Sequence, residues 1–434
     1  MVKVHKTSPA ELPIVGFVGL SHLGLVTSTV LSTLGFKTIC FESNKSTVDD
    51  LKSLKTSINE PELDDFLKLA SMNQTFTSNF DDLKQCEVIY VSDDVPTDEF
   101  GKSNTKLIKE SALRISALTK NACIVILSQV NPGFTRAISS QISNQLYYQV
   151  ETLIFGDAIK RSRFPERIIM GSFNNKTGLN PSLKRILDAY NCPILVFDYE
   201  SAEFTKISIN AFLATDVSLS NTLAEICEVS GGNWTDIVSA LKLDKRIGAS
   251  RYLRPGLGIS GGNIERDLNT ISEIALSNGL KPEIIQSIIN SNSHHKSWVI
   301  RKLNQLGVLT MEKMSIGIWG LAYKENTNSI KNSPSLEIIN QLPSSFYIYA
   351  HDPVVQTLSA KNTLLELVKN PEIILEKADL LLVLTPWIQY KQYANSDELR
   401  KFSGKIIIDP FKVLDKEFCK SLGIKYLTIG EQNN

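Results

Sequence analysis

A glycine turn near the start of the chain has the spacing of a dinucleotide-binding loop. Gly19-Leu20-Ser21-His22-Leu23-Gly24 follows a strand-like run and opens a helical pattern. In such loops the first glycine makes the turn, the middle position approaches a pyrophosphate, and the last glycine lets the helix pack closely. Ser21 holds the middle position, where its hydroxyl can donate to phosphate. The alternative is a turn that only packs a strand on a helix.

An acidic residue follows at the expected distance. Glu42 lies 18 positions beyond Gly24, at the end of the next strand-like run. A carboxylate there accepts hydrogen bonds from the adenosine ribose and disfavours the 2′-phosphate of NADP. Strand, turn, helix and acid in this order predict NAD as the cofactor. His22 is a candidate phosphate contact and equally a solvated loop residue.

Lys206 and Asn210 form a second pattern that could do chemistry. They are four positions apart in a helical stretch, so both side chains project from one face. A cation and an amide donor together suit the negative charge that develops on an alcohol oxygen during oxidation. An isolated pair of this kind is more often a solvated lysine beside an asparagine cap.

The elements that must position these residues form an α/β pattern at both ends of the chain. Strand-like runs that alternate with helical patterns predict parallel sheets with crossover helices. These runs are 14–20, 37–41, 88–92 and 124–128, then 315–320, 345–350, 380–385 and 405–409. Between them, residues 201–243 and 267–306 have helical spacing. We predict an α/β protein with two Rossmann-like domains (1–200 and 307–434) joined by a central helical domain (201–306).

Composition excludes several classes of protein. The 434 residues are 42% hydrophobic and carry 46 basic and 46 acidic side chains, so no net charge attracts nucleic acid. The six cysteines are far apart and form no C-x-x-C pair, so we expect neither a metal site nor a disulfide framework. No run is apolar enough to span a membrane and residues 1–13 are polar, so we expect a cytoplasmic protein with no membrane partner.

Further motifs, in the same order, resemble those of the UDP-glucose/GDP-mannose dehydrogenase family over residues 14–430. They include Ile58-Asn59-Glu60-Pro61-Glu62-Leu63, Val95-Pro96-Thr97 with Gly101, Ser128-Gln129-Val130-Asn131-Pro132-Gly133, Ser201-Ala202-Glu203-Phe204-Thr205-Lys206 continuing to Asn210-Ala211-Phe212, Arg246-Ile247-Gly248, Pro255-Gly256-Leu257-Gly258, Gly261-Gly262, and Gly320-Leu321-Ala322-Tyr323-Lys324.

The resemblance implies an activity and an assembly. Such enzymes oxidise the C6 alcohol of a nucleotide hexose to a carboxylate in two NAD-dependent steps, as dimers or larger oligomers built through the central helices. The family's usual setting is the synthesis of polysaccharide precursors. A UDP-hexose is therefore the expected substrate, and a homodimer or higher homo-oligomer the expected assembly.

The resemblance also implies roles for individual residues. Glu151 matches the acid/base glutamate, Lys206 and Asn210 match the pair that holds oxyanion charge, and Asp267 matches an aspartate that acts with lysine and water. Beside the cofactor, Pro96 and Thr97 match the nicotinamide loop, and Gln129 replaces a threonine. The residues that match sugar-nucleotide contacts are Arg246, Tyr252, Gly258, Lys324 and Lys412.

One departure concerns the nucleophile. An ungapped count from Pro255 to Asp267 puts Asn263 where the family has its catalytic cysteine. A thiolate converts the intermediate aldehyde into an adduct that can give up a second hydride, whereas an amide does not. Asn263 could instead orient a water or hydrogen-bond the sugar.

The leading hypothesis is therefore an NAD-dependent dehydrogenase that stops at an aldehyde or ketone. One alternative is the full four-electron oxidation to UDP-glucuronate with another nucleophile. A different class is a non-catalytic protein that binds NAD and a sugar nucleotide. A hydroxyacid dehydrogenase ranks last, because it would not need the second α/β domain.

Overall fold

The computed structural model describes residues 12–96, 103–176, 178–358 and 364–433. The chain divides into two compact units, the first ending at Ser208 and the second beginning at Ile209. Each unit contains one sheet with helices around it.

The first unit is built on a sheet of eight described strands in the order β3-β2-β1-β4-β5-β6-β7-β8. The strands are β1 (Val15–Val18), β2 (Thr38–Phe41), β3 (Gln74–Thr77), β4 (Val88–Val91), β5 (Cys123–Ile126), β6 (Leu146–Gln149), β7 (Ile168–Ser172) and β8 (Ile194–Asp198). Neighbouring strands run parallel except β6 and β7, which are antiparallel. Strand β2 lies on one side of β1 and β4 lies on the other, so the strand order reverses at β1. Ligands of open α/β sheets bind beyond the carboxyl ends of the strands at such a switch point.

Helices cover both faces of this sheet. They are α1 (His22–Thr33), α2 (Lys45–Lys52), α3 (Leu63–Ala70), α4 (Lys106–Leu118), α5 (Phe134–Ser139), α6 (Ala158–Arg163) and α7 (Pro181–Asp188), with a 3-10 helix at Phe80–Gln85. Strand β1 is buried along its whole length, with Val15 and Phe17 in one core cluster and Val18 in another. Burial on both faces explains why its sequence is continuously apolar rather than alternating.

A 32-residue helix, α8 (Tyr199–Ser230), contains the boundary between the two units. The second unit continues with α9 (Trp234–Leu243), α10 (Asn263–Ser277), α11 (Glu283–Lys296) and α12 (Trp298–Gln305). Helix α8 ends before Gly231, whose φ is +77°, and Asn233 then caps α9 by accepting from the N–H of Thr235. Within the described ranges, no helix combines the length and apolar character needed to cross a bilayer.

The second unit also contains a sheet of six described strands, all parallel, in the order β11-β10-β9-β12-β13-β14. The strands are β9 (Ser315–Trp319), β10 (Tyr347–His351), β11 (Leu365–Leu367), β12 (Leu380–Val383), β13 (Ile406–Ile408) and β14 (Lys425–Leu427). The remaining helices are α13 (Pro334–Ile339), α14 (Glu372–Lys377) and α15 (Lys416–Ser421), with 3-10 helices at Val308–Thr310, Ile388–Tyr393 and Leu399–Lys401. The core of this unit includes the large side chains of Trp298, Trp319, Phe346 and Tyr390.

The predicted α/β pattern is confirmed, with two differences. All eight strands predicted from the sequence are present, with bounds shifted by at most a few residues. Six more described strands were not predicted: β3, β6, β7, β8, β11 and β14. They have only three to five residues, and strand propensity over so short a run depends on the neighbours that tertiary structure supplies. The antiparallel β6–β7 pair was also not predicted.

Candidate active site

The glycine turn after β1 has no space for side chains at its two outer positions. Gly19 has a φ of +90°, and a Cβ there would lie 2.3 Å from a carboxylate oxygen of Asp93. A Cβ at Gly24 would lie 2.1 Å from the carbonyl oxygen of Gly19. Both glycines are therefore required by the backbone itself, and the turn leaves the bare main chain at the switch point of the sheet.

The N-terminus of α1 is suited to an anion. The Ser21 hydroxyl donates to the carbonyl oxygen of Ser92 at 2.9 Å, and no described side chain caps this helix. The first turn also carries no acidic residue. The leading amides and the positive end of the helix dipole are thus available to a pyrophosphate. This geometry fits NAD, whose nicotinamide ring supplies a hydride acceptor when bound.

Two carboxylates flank the turn. Glu42 follows β2, and one of its oxygens accepts from the N–H of Asn44 at 3.0 Å, which holds it at the predicted ribose position. Asp93 follows β4 and was not predicted. Burial raises the pKa of Asp93 to about 6, with the charges of Glu42 and Asp94 adding to the increase against the hydrogen bond from Ser111.

His22 is held by a buried glutamate. Its Nε2 lies 2.8 Å from Oε2 of Glu60, and its ring packs on Phe155 at 4.1 Å between centroids. The same carboxylate accepts from the N–H groups of Gly156 at 2.9 Å and Ala158 at 2.8 Å. Burial opposes ionisation of Glu60, but these hydrogen bonds outweigh it, so the pKa of Glu60 lies below its usual value. Glu60 therefore fixes His22 beside the glycine turn.

The other predicted cofactor contacts lie in loops after β4 and β5. The carbonyl of Pro96 accepts from the N–H of Asn104 at 2.8 Å, while Thr97 lies outside the described residues. Gln129 lies in the loop after β5. Glu203 of α8 orders this loop, since its fully buried carboxylate accepts from the N–H groups of Gly133 at 2.6 Å and Thr135 at 2.8 Å. Sequence analysis assigned Glu203 no role.

In the first unit, the structure brings Glu151 and Lys206 together. The Lys206 Nζ lies 3.5 Å from Oε2 of Glu151, and the two side chains are 11% and 16% exposed. The other carboxylate oxygen of Glu151 accepts from the N–H of Leu153. Glu151 follows β6 and Lys206 lies on α8, so neither spacing nor periodicity could have predicted this ion pair.

In the second unit, the structure brings Asn210 and Asp267 together. The Asn210 amide donates to Oδ2 of Asp267 at 2.5 Å, and the aspartate is 2% exposed. Arg266 donates from Nε to the other carboxylate oxygen at 3.3 Å. Its buried Nη2 has no hydrogen-bond partner among the described residues. Asn263 is the first residue of α10, one helical turn before Asp267, and is exposed.

A cavity of about 690 Å³ lies in the second unit. Its lining includes three aromatic and four cationic side chains together with one acid: Trp234, Tyr252 and Phe411; Lys242, Arg251, Arg254 and Lys412; and Glu325. Arg251 pairs with Asp216 and Lys412 with Glu431, while Arg254 donates to the Phe411 carbonyl at 2.9 Å. Aromatic faces suit a base and cations suit phosphates, so the cavity is matched chemically to a nucleotide. Sequence analysis had selected only Tyr252 and Lys412.

The remaining predicted substrate contacts have other surroundings. Arg246 pairs with Asp244 at 2.7 Å and its side chain is 88% exposed. Gly258 has a φ of +82°, and a Cβ there would lie 2.5 Å from the side-chain oxygen of Asn292. Lys324 lies with its Nζ 5.8 Å from the ring centroid of Tyr323.

A second glycine turn, after β9, differs from the first. Gly320 has a φ of +97°, but the amides of Leu321 and Ala322 donate to Oδ2 of Asp352 at 2.7 and 3.0 Å. The Asp352 carboxylate accepts the hydrogen bonds of the N–H groups that a pyrophosphate would need. The open dinucleotide turn is therefore the one after β1.

An open glycine turn in the first unit and a nucleotide-sized cavity in the second are features expected of an NAD-dependent dehydrogenase that acts on an alcohol. Comparison with known families identifies which one. Residues 14–190, 200–294 and 317–416 match the NAD binding, central and UDP binding domains of the UDP-glucose/GDP-mannose dehydrogenase family. The chain belongs to this family and is a nucleotide-sugar dehydrogenase with NAD as its cofactor.

Individual relatives agree over nearly the full length. The chain is 27% identical to a UDP-glucose 6-dehydrogenase of Rickettsia typhi, covering 96% of this chain and 99% of the relative. It is also 27% identical to UDP-glucose 6-dehydrogenase YwqF of Bacillus subtilis, covering 96% and 97%. Its fold matches a solved UDP-glucose dehydrogenase from Pyrobaculum islandicum with a TM-score of 0.84 at 22% identity, covering 98% and 99% of the two chains.

Proposed function

We propose that the chain oxidises an alcohol of a UDP-hexose, at C6 by analogy with its relatives, and releases the aldehyde or ketone after one hydride transfer. The single observation that carries the proposal is Asn263 at the first position of α10, one turn before Asp267. The residues suited to the first oxidation are present, and the thiol needed for the second is not at this position.

The first oxidation removes a proton from the alcohol oxygen and a hydride from its carbon. In the match to the family, Glu151 corresponds to the acid/base glutamate and Asp267 to the aspartate that acts with lysine and water, so each is a proposed proton acceptor. Lys206 and Asn210, four positions apart on α8, are proposed to supply a cation and an amide donor for the developing alkoxide. The hydrogen bond of 2.5 Å from Asn210 to Asp267 supports a shared role for these two residues.

The second oxidation has no reactive thiol among the described cysteines. The aldehyde must first gain a thiolate or a water to form a tetrahedral adduct that can release hydride. All six cysteines lie within the described residues and are free thiols. Burial raises the pKa of five of them: Cys40, Cys86, Cys123, Cys192 and Cys419. The sixth, Cys227, packs in the core of the second unit. Buried thiols with raised pKa values are poor nucleophiles.

The cavity of the second unit is proposed to hold the nucleotide. Tyr252, Trp234 and Phe411 offer apolar faces for the base, and Arg254 and Lys412 offer charge for the diphosphate. UDP is the proposed nucleotide because the family match in this unit is to a UDP binding domain. Lys412 has a φ of +55° in a loop that buried Asp409 holds by accepting from the N–H groups of Phe411 and Leu414.

A homodimer is proposed from an apolar stripe on α8. Phe212, Leu219 and Ile226 are seven residues apart and are 69%, 56% and 52% exposed. A heptad of exposed apolar side chains favours packing against a second helix. Light scattering should give twice the chain mass, and Leu219→Lys should give a monomer if the stripe is the interface.

The test of the proposed reaction is the ratio of NADH to sugar. Purified chain is incubated with NAD and UDP-glucose, or another UDP- or GDP-hexose, with an aldehyde trap present, and products are identified by mass spectrometry. We expect one NADH per sugar and a trapped carbonyl. Two NADH and a uronic acid would refute the truncated oxidation, and binding of both ligands without NADH would point to a non-catalytic protein.

A matched pair of variants tests the role of Asn263. Asn263→Cys supplies a thiol at the N-terminus of a helix, where its pKa is lowered. We expect this variant to form uronic acid, whereas Asn263→Ser should still release the carbonyl. If Asn263→Cys yields no acid although one-hydride turnover persists, the missing thiol is not the cause of the early stop.

A further inference from the structure

The second unit contains a cluster of metal-ligating side chains outside the residues discussed above. Glu225 lies on α8, and His294 and His295 lie in the last turn of α11. Their ligand atoms are all within 4.8 Å of one another. The Oε2 atom of Glu225 is 2.9 Å from Nε2 of His294 and 3.4 Å from Nδ1 of His295.

These distances are close to those of a tetrahedral metal site. With metal–ligand bonds of about 2.0 to 2.2 Å, ligand atoms around Zn²⁺ are about 3.3 to 3.5 Å apart. The contact between Glu225 and His295 already has this length. The contact to His294 must widen by a few tenths of an ångström, and the two imidazole nitrogens must approach each other. His294 is 53% exposed, so its side chain has room for this adjustment.

The hydrogen bonds of His294 conflict with one another. Its Nε2 lies 2.9 Å from a carboxylate oxygen of Glu225, which only accepts, and 3.2 Å from Nη1 of Arg301, which only donates. One ring nitrogen can satisfy one of these neighbours but not both. A cation bound between Nε2 and Oε2 would use one lone pair of each atom.

The surroundings resemble a second coordination shell. Arg301 donates from Nη2 to Oε1 of Glu225 at 2.7 Å, which leaves Oε2 for the imidazole side. The Nε2 of His295 lies 3.1 Å from the Ser291 hydroxyl and 3.3 Å from that of Thr222. Partners on the second ring nitrogen orient a histidine so that its first nitrogen can bind metal.

We propose that Glu225, His294 and His295 bind one divalent transition-metal ion, of the kind represented by Zn²⁺, with a fourth position left to water. One carboxylate oxygen and two imidazole nitrogens are a ligand set that suits Zn²⁺. Sequence analysis predicted no metal site, because Glu225 is 69 residues from His294 and only the packing of α8 against α11 joins them.

The experiment uses the full chain after removal of metals with a chelator. Zn²⁺ is titrated by calorimetry, and Co²⁺ is titrated while its visible d–d absorption is followed. We expect one ion per chain and a tetrahedral Co²⁺ spectrum. In His294→Gln and Glu225→Gln, Zn²⁺ affinity should fall at least tenfold and the Co²⁺ spectrum should be lost. Glu283→Gln, at an exposed position on α11, should bind Zn²⁺ as tightly as the unmodified chain does.

Three results would overturn the proposal. The first is the absence of stoichiometric Zn²⁺ binding, and the second is equal Zn²⁺ affinity in His294→Gln and the unmodified chain. The third is a thiolate-to-Co²⁺ charge-transfer band, which would assign the metal to a cysteine. Melting temperatures without metal verify that each variant is folded. Because the His294 side chain is exposed, His294→Gln should perturb the fold less than Glu225→Gln.

Discussion

Replacing Glu60 by glutamine should loosen the glycine turn through loss of one buried acceptor. Glu60 is 6% exposed, and its two oxygens accept from His22 and from the backbone of Gly156 and Ala158. Glutamine has one acceptor oxygen, so whichever way its amide is oriented, one of the two backbone N–H groups faces another donor.

The expected cost can be estimated from these contacts. Loss of one charge-assisted hydrogen bond costs about 1.5 kcal/mol, and leaving a buried N–H without a partner costs roughly another 1.5 kcal/mol. We therefore expect the free energy of unfolding of the first unit to fall by about 3 kcal/mol. NAD affinity should fall as well, because His22 lies in the turn that we predict to bind the cofactor. Glu62→Gln, two residues away and exposed, is the matched control.

The two units can be followed separately. All four tryptophans lie in the second unit, at Trp234, Trp298, Trp319 and Trp387, so their fluorescence in urea reports that unit. Hydrogen exchange at Gly156 and Ala158 reports the first unit. We expect Glu60→Gln to speed exchange at these amides and leave the fluorescence transition unchanged.

The stability difference between Glu60→Gln and the unmodified chain should depend on pH in one direction. Because the pKa of Glu60 is lowered in the folded chain, its carboxylate stabilises the fold above the usual carboxyl range. This stabilisation is lost as pH falls through the folded pKa. The difference between Glu60→Gln and the unmodified chain should therefore be largest near neutral pH and shrink in acid. A difference below 1 kcal/mol at neutral pH, or one that grows in acid, would refute the reasoning.

Three further predictions follow from single contacts. Gly24→Ala should abolish NAD binding, because its Cβ would lie 2.1 Å from the Gly19 carbonyl oxygen, and fluorescence titration with NADH would measure the loss. Glu225→Gln should reduce the loss of stability of the second unit between pH 4.5 and about 2, the interval over which the Glu225 carboxylate loses its stabilising charge, as measured by acid titration of tryptophan fluorescence. Lys412→Ala should raise KM for the UDP-hexose several-fold with little change in kcat, if Lys412 binds the diphosphate in ground and transition state alike; a fall in kcat alone would contradict this.

Much of the fold and part of the site follow from local sequence. The turn from Gly19 to Gly24 could be predicted because its requirements are backbone requirements: positive φ at Gly19 and no room for a Cβ at either glycine. Buried parallel strands such as β1 and β12 are continuously apolar and could be recognised for that reason. The match of Asn263 to the position of the family's cysteine is likewise a prediction made from the sequence alone.

Other features depend on contacts between distant residues. The Glu151–Lys206 pair, the Asn210–Asp267 hydrogen bond and the cluster of Glu225 with two histidines join residues 55 to 70 positions apart. No local propensity encodes such pairs, because each depends on which helix packs against which strand or helix. The same holds for the antiparallel β6–β7 pair, whose short strands acquire their register only from neighbours in the sheet. Sequence alone thus determined the class of fold and the glycine turn, whereas tertiary structure decided which distant polar and charged side chains contact one another.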